Sequence, residues 1–296
     1  MPELPEVETI AQGLACRVTG DMIESIWLGR KPEPLKSTAR VIAATLQNTR
    51  IADVHRMGKH IVFDLEANDV ERARLRQAQS KLSSRKKPKR ESSQHQLKAQ
   101  FIVHLGMTGR LQVCEPQEEI LKHTHAIAKL ASGRELRFVD SRRFGRLSVS
   151  SSGNFETAGI EPLEIDPDRF VELFRGRKTP IKSALLNQKL LRGVGNIYAD
   201  ESLFRAGIRP RRRASTITHD QFAKLLAAIK EVLEEAIALG GSTISNYVDS
   251  NGDEGFFQLQ HRVYGREGGP CPICKTPIKR IVIAGRSSHY CPRCQK

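Results

Sequence analysis

The first eight residues, Met1-Pro2-Glu3-Leu4-Pro5-Glu6-Val7-Glu8, crowd two prolines and three carboxylates at one end of the chain. Once Met1 is removed, the ring nitrogen of Pro2 becomes a free secondary amine. Terminal amines titrate near ~8, so a modest shift leaves an unprotonated fraction at neutral pH. Such an amine attacks a sugar carbon or aldehyde and forms an iminium, by the logic of Schiff-base lysines. Glu3 and Glu6 lie within reach to move protons and to stabilise the developing cation. The competing reading is a helix entry, in which Pro5, Glu6 and Glu8 suit a first turn and its dipole. Val7, Ile10, Leu14 and Val18 continue it as an apolar stripe at helical spacing. That reading does not require a Pro-Glu terminus.

The other end carries Cys271-Pro272-Ile273-Cys274 and Cys291-Pro292-Arg293-Cys294. Two Cys-x-x-Cys pairs at this separation suit tetrahedral Zn²⁺, with no ligand position left open, so the metal would be structural. The alternative, a redox pair, does not explain two copies in one short stretch. Ile278 to Ile283 and Ser287 to Tyr290 form a hairpin between the pairs, and Arg286 falls near its tip, where it could reach into DNA. Such a small unit draws much of its folding energy from the metal. Cys16 and Cys114 remain as unpaired thiols.

Between the ends lie weaker signals. Asp140-Ser141-Arg142-Arg143-Phe144-Gly145-Arg146 places guanidiniums and an aromatic ring in a tight connection, which suits phosphates, base edges and a wedge in the base stack. A hairpin whose Phe packs in the core is the plainer alternative. Gly193-Val194-Gly195-Asn196-Ile197-Tyr198 reads as a glycine turn feeding a helix N-terminus, a natural phosphate site, with Lys182, Lys189 and Arg192 upstream. Lys59, in Arg56-Met57-Gly58-Lys59-His60, reads locally as a turn charge.

Elements that could position these residues follow from patterning. The 296 residues, 39% hydrophobic, suffice for two domains, and 48 basic against 33 acidic residues give a net charge of +15 that points to nucleic acid. No run is apolar enough to span a membrane, and the N-terminus lacks a signal-peptide layout. Cysteine usage reads as intracellular. From Ile23 to Leu65 the pattern is β-like, and strands also fit Phe101–Leu105, Arg110–Cys114, His125–Leu130 and Glu135–Val139. Residues 67–100 hold ten basic and three acidic residues and few large apolar ones, and are expected to be a disordered or partly helical insert. After Pro162 helices are expected over Asp166–Phe174, Ile181–Asn187 and Asn196–Phe204. A capping box at Thr218–Gln221 opens an amphipathic helix ending at Gly240-Gly241.

These motifs, in this order, resemble those of the bacterial formamidopyrimidine-DNA glycosylases. They are the Pro-Glu-Leu-Pro-Glu start, Gly58-Lys59, His104-Leu105-Gly106-Met107-Thr108-Gly109, Arg142-Arg143-Phe144-Gly145, Gly193 to Tyr198 and the four-cysteine ribbon. The resemblance covers nearly the whole chain except the basic insert. It implies an α+β protein: an N-terminal β-sandwich with flanking helices (1–150), a helical helix–two-turn–helix domain (151–260) and a C-terminal zinc ribbon (261–296). It implies excision of oxidised purines, such as 8-oxoguanine, from double-stranded DNA, followed by β,δ-elimination, by a monomer in the bacterial cytoplasm with one structural Zn²⁺. Pro2 is then the nucleophile, Glu3 the acid/base group, Glu6 a supporting carboxylate and Lys59 a contact to phosphate beside the lesion. Met107, Arg142 and Phe144 fill the space left by the extruded base. Asn196 contacts phosphate, Arg286 is the ribbon arginine, and His104, Arg143, Lys182 and Tyr264 complete the DNA-binding set. Residues 241–257 match the loop that closes over the flipped base. The insert, and Ser141 where the family has proline, depart from the pattern. Leu4 favours the purine branch over a pyrimidine-specific sister group. The alternatives are an oxidised-pyrimidine glycosylase of the same superfamily and a non-catalytic lesion-binding protein.

Overall fold

The computed structural model describes residues 1–67, 98–243, 248–250 and 252–296. Helix α1 (Leu4–Val18) opens the chain, with Leu4, Val7, Ile10, Leu14 and Val18 all buried. Strands β1 (Met22–Leu28), β2 (Thr49–Met57), β3 (His60–Ala67), β4 (Lys98–His104), β5 (Arg110–Cys114), β6 (Thr124–Leu130), β7 (Glu135–Val139) and β8 (Arg146–Ser150) follow, with α2 (Ala39–Leu46) inserted after β1. All pairings are antiparallel, in the order β5-β7-β6-β1-β2-β3-β4-β8. The centre of this sheet is thin, because β1 and β2 pair only through Met22↔Arg50 and Ile23↔Thr49. Two four-stranded halves result. Their apolar faces share one core, with Leu111, Ala128 and Phe138 from one half and Phe63, Phe101 and Val103 from the other. This is the sandwich that alternating strand patterns produce when each sheet has one apolar face.

Two elements were not expected. Helix α2 interrupts the β-like stretch; Thr38 caps it, and only Ile42 and Leu46 are buried, too small an apolar face to show in the pattern. Strand β8 is half polar and pairs with β4. The expected insert is narrower than 67–100, since Ala67 closes β3 and residues 98–100 open β4, with Glu66 paired to Lys98. The rest of it, 68–97, lies outside the described residues.

The second core is helical. It is built from α3 (Pro167–Phe174), α4 (Ile181–Leu185), α5 (Asn196–Arg205) and α6 (His219–Ala238), packed around Phe170, Phe174, Tyr198 and Phe222. Helix α4 stops two residues short of the expected end, at Leu185. The Thr218/Gln221 capping box opens α6 as the spacing predicts. Leu4 belongs to this core although the rest of α1 packs on the sandwich. The chain start is therefore wedged between the halves, its Leu4 N–H donating to the Gly193 carbonyl at 3.1 Å. An ionic cluster closes the same junction: the Arg56 fork reaches both Glu161 oxygens at 3.0 Å, its Nε reaches Glu8 at 2.6 Å, and Arg192 Nε reaches Glu161 at 3.3 Å. The C-terminal hairpin, β9 (Lys279–Ile283) and β10 (Arg286–Tyr290), turns through Ala284 and Gly285, both at positive φ. Among the described residues no helix is long and apolar enough to cross a membrane.

Candidate active site

The junction gathers the chemistry-bearing residues of the terminus. Glu3 is buried at the N-terminus of α5, where the Ile197 N–H donates to its Oε1 at 3.4 Å. Burial pushes its carboxyl up to about 7, against the pull of Lys59; the charge of Glu6 adds to the rise. Glu3 therefore still holds a proton near neutrality, which is what an acid/base group needs. Glu6 is also buried and also raised by desolvation. Its Oε2 accepts the Glu3 N–H at 2.7 Å, and its Oε1 accepts the Ser242 N–H at 2.8 Å and a short bond from the Tyr198 hydroxyl. One carboxylate thus fixes the backbone directly after Pro2, which is itself half-buried.

Lys59 closes the β2–β3 turn between the paired Met57 and His60, and is 9% exposed. Burial lowers its ammonium, the charges of Glu3 and Glu6 raise it, and Arg286 from the hairpin opposes them. Carboxylates from α1, a lysine from the sandwich and an arginine from the ribbon therefore converge electrostatically on one place. Asn196, at the start of α5, donates to the Ser287 hydroxyl at 3.3 Å and links that helix to β10.

A second group projects from the sandwich. Asp140, with no exposed surface, accepts from the Thr108 hydroxyl at 2.5 Å and the Gly145 N–H at 2.7 Å. It thereby ties the Met107 turn to the Arg142–Phe144 turn. Gly106, at φ 66°, lies against that second turn: a β-carbon would sit 2.5 Å from the Phe144 carbonyl carbon. Met107 and Phe144 stay about half exposed, and the Arg142 guanidinium stacks 4.8 Å from the Phe144 ring centroid. Arg143 is exposed, 3.7 Å from Glu33. His104 accepts the Gly106 N–H at 3.1 Å; burial, then the charges of His60 and Lys59, lower its imidazole to about 4, so it is neutral.

The four cysteines of the ribbon bring their sulfurs within 4.8 Å of one another. Cys271 and Cys294 are 3.9 Å apart, and Cys274 and Cys291 are 3.4 Å apart. Tetrahedral Zn–S bonds of about 2.3 Å call for sulfurs roughly 3.8 Å apart, so the set fits one structural Zn²⁺.

With this geometry in view, comparison with known proteins is decisive. Residues 1–147 match the formamidopyrimidine-DNA glycosylase N-terminal domain, 159–248 the H2TH domain of the same enzymes, and 268–296 the zinc finger found in FPG and IleRS. The chain belongs to the formamidopyrimidine-DNA glycosylase family. It is 42% identical to the formamidopyrimidine-DNA glycosylase of Solibacter usitatus, with all of both chains covered. Its fold matches the crystal structure of the Thermus thermophilus protein with a TM-score of 0.80 at 38% identity, covering 99% of this chain and 98% of that one. It matches the Lactococcus lactis protein in complex with DNA containing N7-benzyl-Fapy-dG with a TM-score of 0.83 at 30% identity over all of both chains. The chain is a DNA glycosylase of base excision repair.

Against this family frame, one expected DNA contact moves. Lys182 has no exposed surface; its ammonium lies 2.7 Å from Asp200 and donates to the Ser287 carbonyl at 2.6 Å. It supports β10 from beneath, its ammonium spent on Asp200 and Ser287. Arg192, read as supporting the glycine turn's phosphate site, faces Glu161 in the junction. Leu4 is fully buried against Gly193, so its side chain cannot touch a base. Tyr264 remains half-exposed; burial raises its phenol, the hydrogen bond with Asn196 lowers it, and the Glu3 charge adds a smaller rise. Sequence reading missed the scaffolding carboxylates. Asp200 accepts the His289 N–H at 2.8 Å, and Glu201 accepts those of Arg262, Val263 and Tyr264 at 2.9, 3.0 and 2.8 Å. Both lie in the second turn of α5, two and three residues past the Gly193–Tyr198 motif, so a pair of adjacent acids inside a helix that opens on a glycine turn was the available signal.

Proposed function

We propose that this glycosylase excises oxidised purines, formamidopyrimidines and 8-oxoguanine, from double-stranded DNA and cuts the strand at the resulting site. With Met1 removed, the Pro2 lone pair attacks C1′ of the extruded nucleotide. The N-glycosidic bond breaks and its electron pair leaves with the base. The Pro2 nitrogen gives its N–H proton to the departing base, Glu3 delivers its own proton to the sugar ring oxygen, the C1′–O4′ bond breaks, and the nitrogen lone pair closes an iminium between Pro2 and C1′. Loss of a C2′ proton expels the 3′ phosphate, and a second elimination expels the 5′ phosphate. Lys59 and Arg286 hold the phosphates beside the lesion, and Asn196 and Tyr264 the neighbouring backbone. Met107, Arg142 and Phe144 occupy the vacated stack. The single observation that carries the reading is the placing of Glu3: next to Pro2, buried at the N-terminus of α5, its backbone held by Glu6 and its carboxyl raised by that burial to about 7.

Borohydride trapping on a duplex with 8-oxoguanine opposite cytosine tests this. A covalent adduct whose linked peptide begins at Pro2 is expected. No adduct and no cleavage, with Met1 confirmed absent and zinc present, would leave a lesion-binding protein. A second reading, oxidised pyrimidines, draws on the L. lactis relative, which has been crystallised on DNA containing an oxidised pyrimidine as well as on abasic DNA. Release of both base types from matched duplexes separates the two; purine release is expected to dominate.

A further inference from the structure

One face of α1 receives the connection that follows α6. Glu6, Gly13 and Arg17 recur at intervals that return to the same side of a helix. Each meets that connection. Glu6 Oε1 accepts the Ser242 N–H at 2.8 Å. Gly13 lies under Ser250: a β-carbon on Gly13 would stand 2.2 Å from the Ser250 hydroxyl oxygen. Arg17 donates from Nη1 to the Ser250 carbonyl at 3.2 Å and from Nη2 to the Val113 carbonyl of β5 at 3.0 Å. Ser250 is 1% exposed. Around it the chain turns on itself, Asp249 N–H donating to the Asp253 carbonyl at 2.8 Å and Asp253 N–H to Asp249 Oδ1 at 2.9 Å. A connection that leaves the helical core at Gly240 is thereby seated on the sandwich. Glycine inside a helix is less stable than alanine. Its presence at 13 is accounted for by the close approach of Ser250.

We propose that Gly13 and Arg17 are positioning residues for base excision. They seat the described parts of the connection, 241–243, 248–250 and 252–253, on the helix that Glu3 caps and whose first turn carries Glu6. This rests on the glycosylase reading above and assigns that reading two residues eleven and fifteen positions beyond Pro2. Both halves of the reaction need Pro2, but only excision must hold a base. Loosening the seat should therefore slow excision and spare cleavage of an abasic site already formed.

The test uses the full-length zinc-loaded protein as wild type, Gly13→Ala, Arg17→Met and the double variant Gly13→Ala/Ser250→Ala. Alanine favours the helix, so Gly13→Ala is expected to fold normally. Hydrogen exchange in peptides covering 240–256 should quicken in both single variants while α1 stays protected. Single-turnover release of 8-oxoguanine should fall about tenfold, the loss expected from one or two hydrogen bonds. Cleavage of a preformed abasic site should be unchanged. The double variant, lacking the oxygen that the new methyl meets, should recover excision. Excision at the wild-type rate despite quickened exchange, or a parallel fall in both activities, would overturn the proposal. A wild type that binds DNA but releases no base would instead sink the glycosylase reading. The exchange arm would then still decide the seat, and wild-type exchange in both single variants would disprove it.

Discussion

Gly195 stands where no side chain fits beside Glu3. A β-carbon on Gly195 would lie 2.1 Å from the Glu3 carboxyl carbon and 2.3 and 2.4 Å from its two oxygens. Gly195 has an ordinary extended φ of −126°, so alanine there meets no backbone objection, only the carboxylate. Gly195→Ala should therefore displace Glu3 from the N-terminus of α5 without unfolding the helix. Excision should fall by about a hundredfold or more, the range for loss of a positioned acid/base group. Affinity for an abasic-analogue duplex should hold. Excision by Gly195→Ala at the wild-type rate would mean that Glu3 acts from another place.

The raised carboxyl of Glu3 has two pH consequences. Excision that draws a proton from Glu3 should decline as pH rises through about 7. Stability moves in the same direction. The folded value, about 7, lies above the ordinary 4.5, so between them the folded state binds the extra proton. The associated stability is complete below the ordinary value and is lost as pH rises through the folded one. Glu3→Gln removes that loss. The variant should match wild type near pH 4.5 and exceed it at pH 8, by up to about 3 kcal/mol for a buried carboxyl shifted this far. Denaturant unfolding at the two pH values measures the difference. Equal stability at pH 8 would mean that Lys59 already compensates the charge.

Lys182 separates a structural charge from a DNA contact. Its partner Asp200 is as deeply buried as Lys182 itself, and also holds the His289 N–H and imidazole. Lys182→Met leaves Asp200 with a buried charge whose cation is gone, and breaking such a pair costs about 3–5 kcal/mol. Thermal unfolding should show that loss. The slope of log affinity against log salt should stay at its wild-type value, because no phosphate contact is removed. Arg143→Ala, at an exposed position, should show the opposite pattern: near-normal stability and a slope smaller by roughly 0.9. A reduced slope in Lys182→Met would restore Lys182 to the DNA surface.

The same residue shows where sequence reading stops. Strands β5 and β7 coincide with the expected Arg110–Cys114 and Glu135–Val139, because alternation is a local signal that the core face must obey. The cysteine pairs were equally legible, since ligand spacing is local too. The burial of Lys182 and the ion pair of Arg192 are not legible locally, because a charge in a sequence looks like surface. What turns each inward is a carboxylate supplied from elsewhere, Asp200 for Lys182 and Glu161 for Arg192, and Arg56 reaches Glu161 across 105 residues. Helix α2 was lost for the opposite reason, since two buried residues are too few to set a period. The functional motifs lay in plain view, and the polar partners that aim them did not.

Zinc removal tests how far the ribbon stands apart from the rest. Its own core holds only Phe204, Val263, Cys271, Ile278 and Cys291, with Cys274 and Cys294 packed against them. Two of the five buried members are metal ligands, so little apolar burial remains to hold β9 and β10 without the ion. Arg286 stands at the start of β10, and Ser287 is held there by Lys182 and Asn196. Chelation, or Cys271→Ser, should therefore release one Zn²⁺ per chain, unfold the hairpin and abolish tight DNA binding. The sandwich has its own core and should survive. The chain's single tryptophan, Trp27, lies on β1, so its emission reports the sandwich alone. Unchanged Trp27 emission alongside lost DNA affinity is the expected result. Emission that shifts together with zinc loss would mean that ribbon and sandwich unfold as one unit. Full DNA affinity in a zinc-free protein would contradict any role for Arg286 in holding DNA.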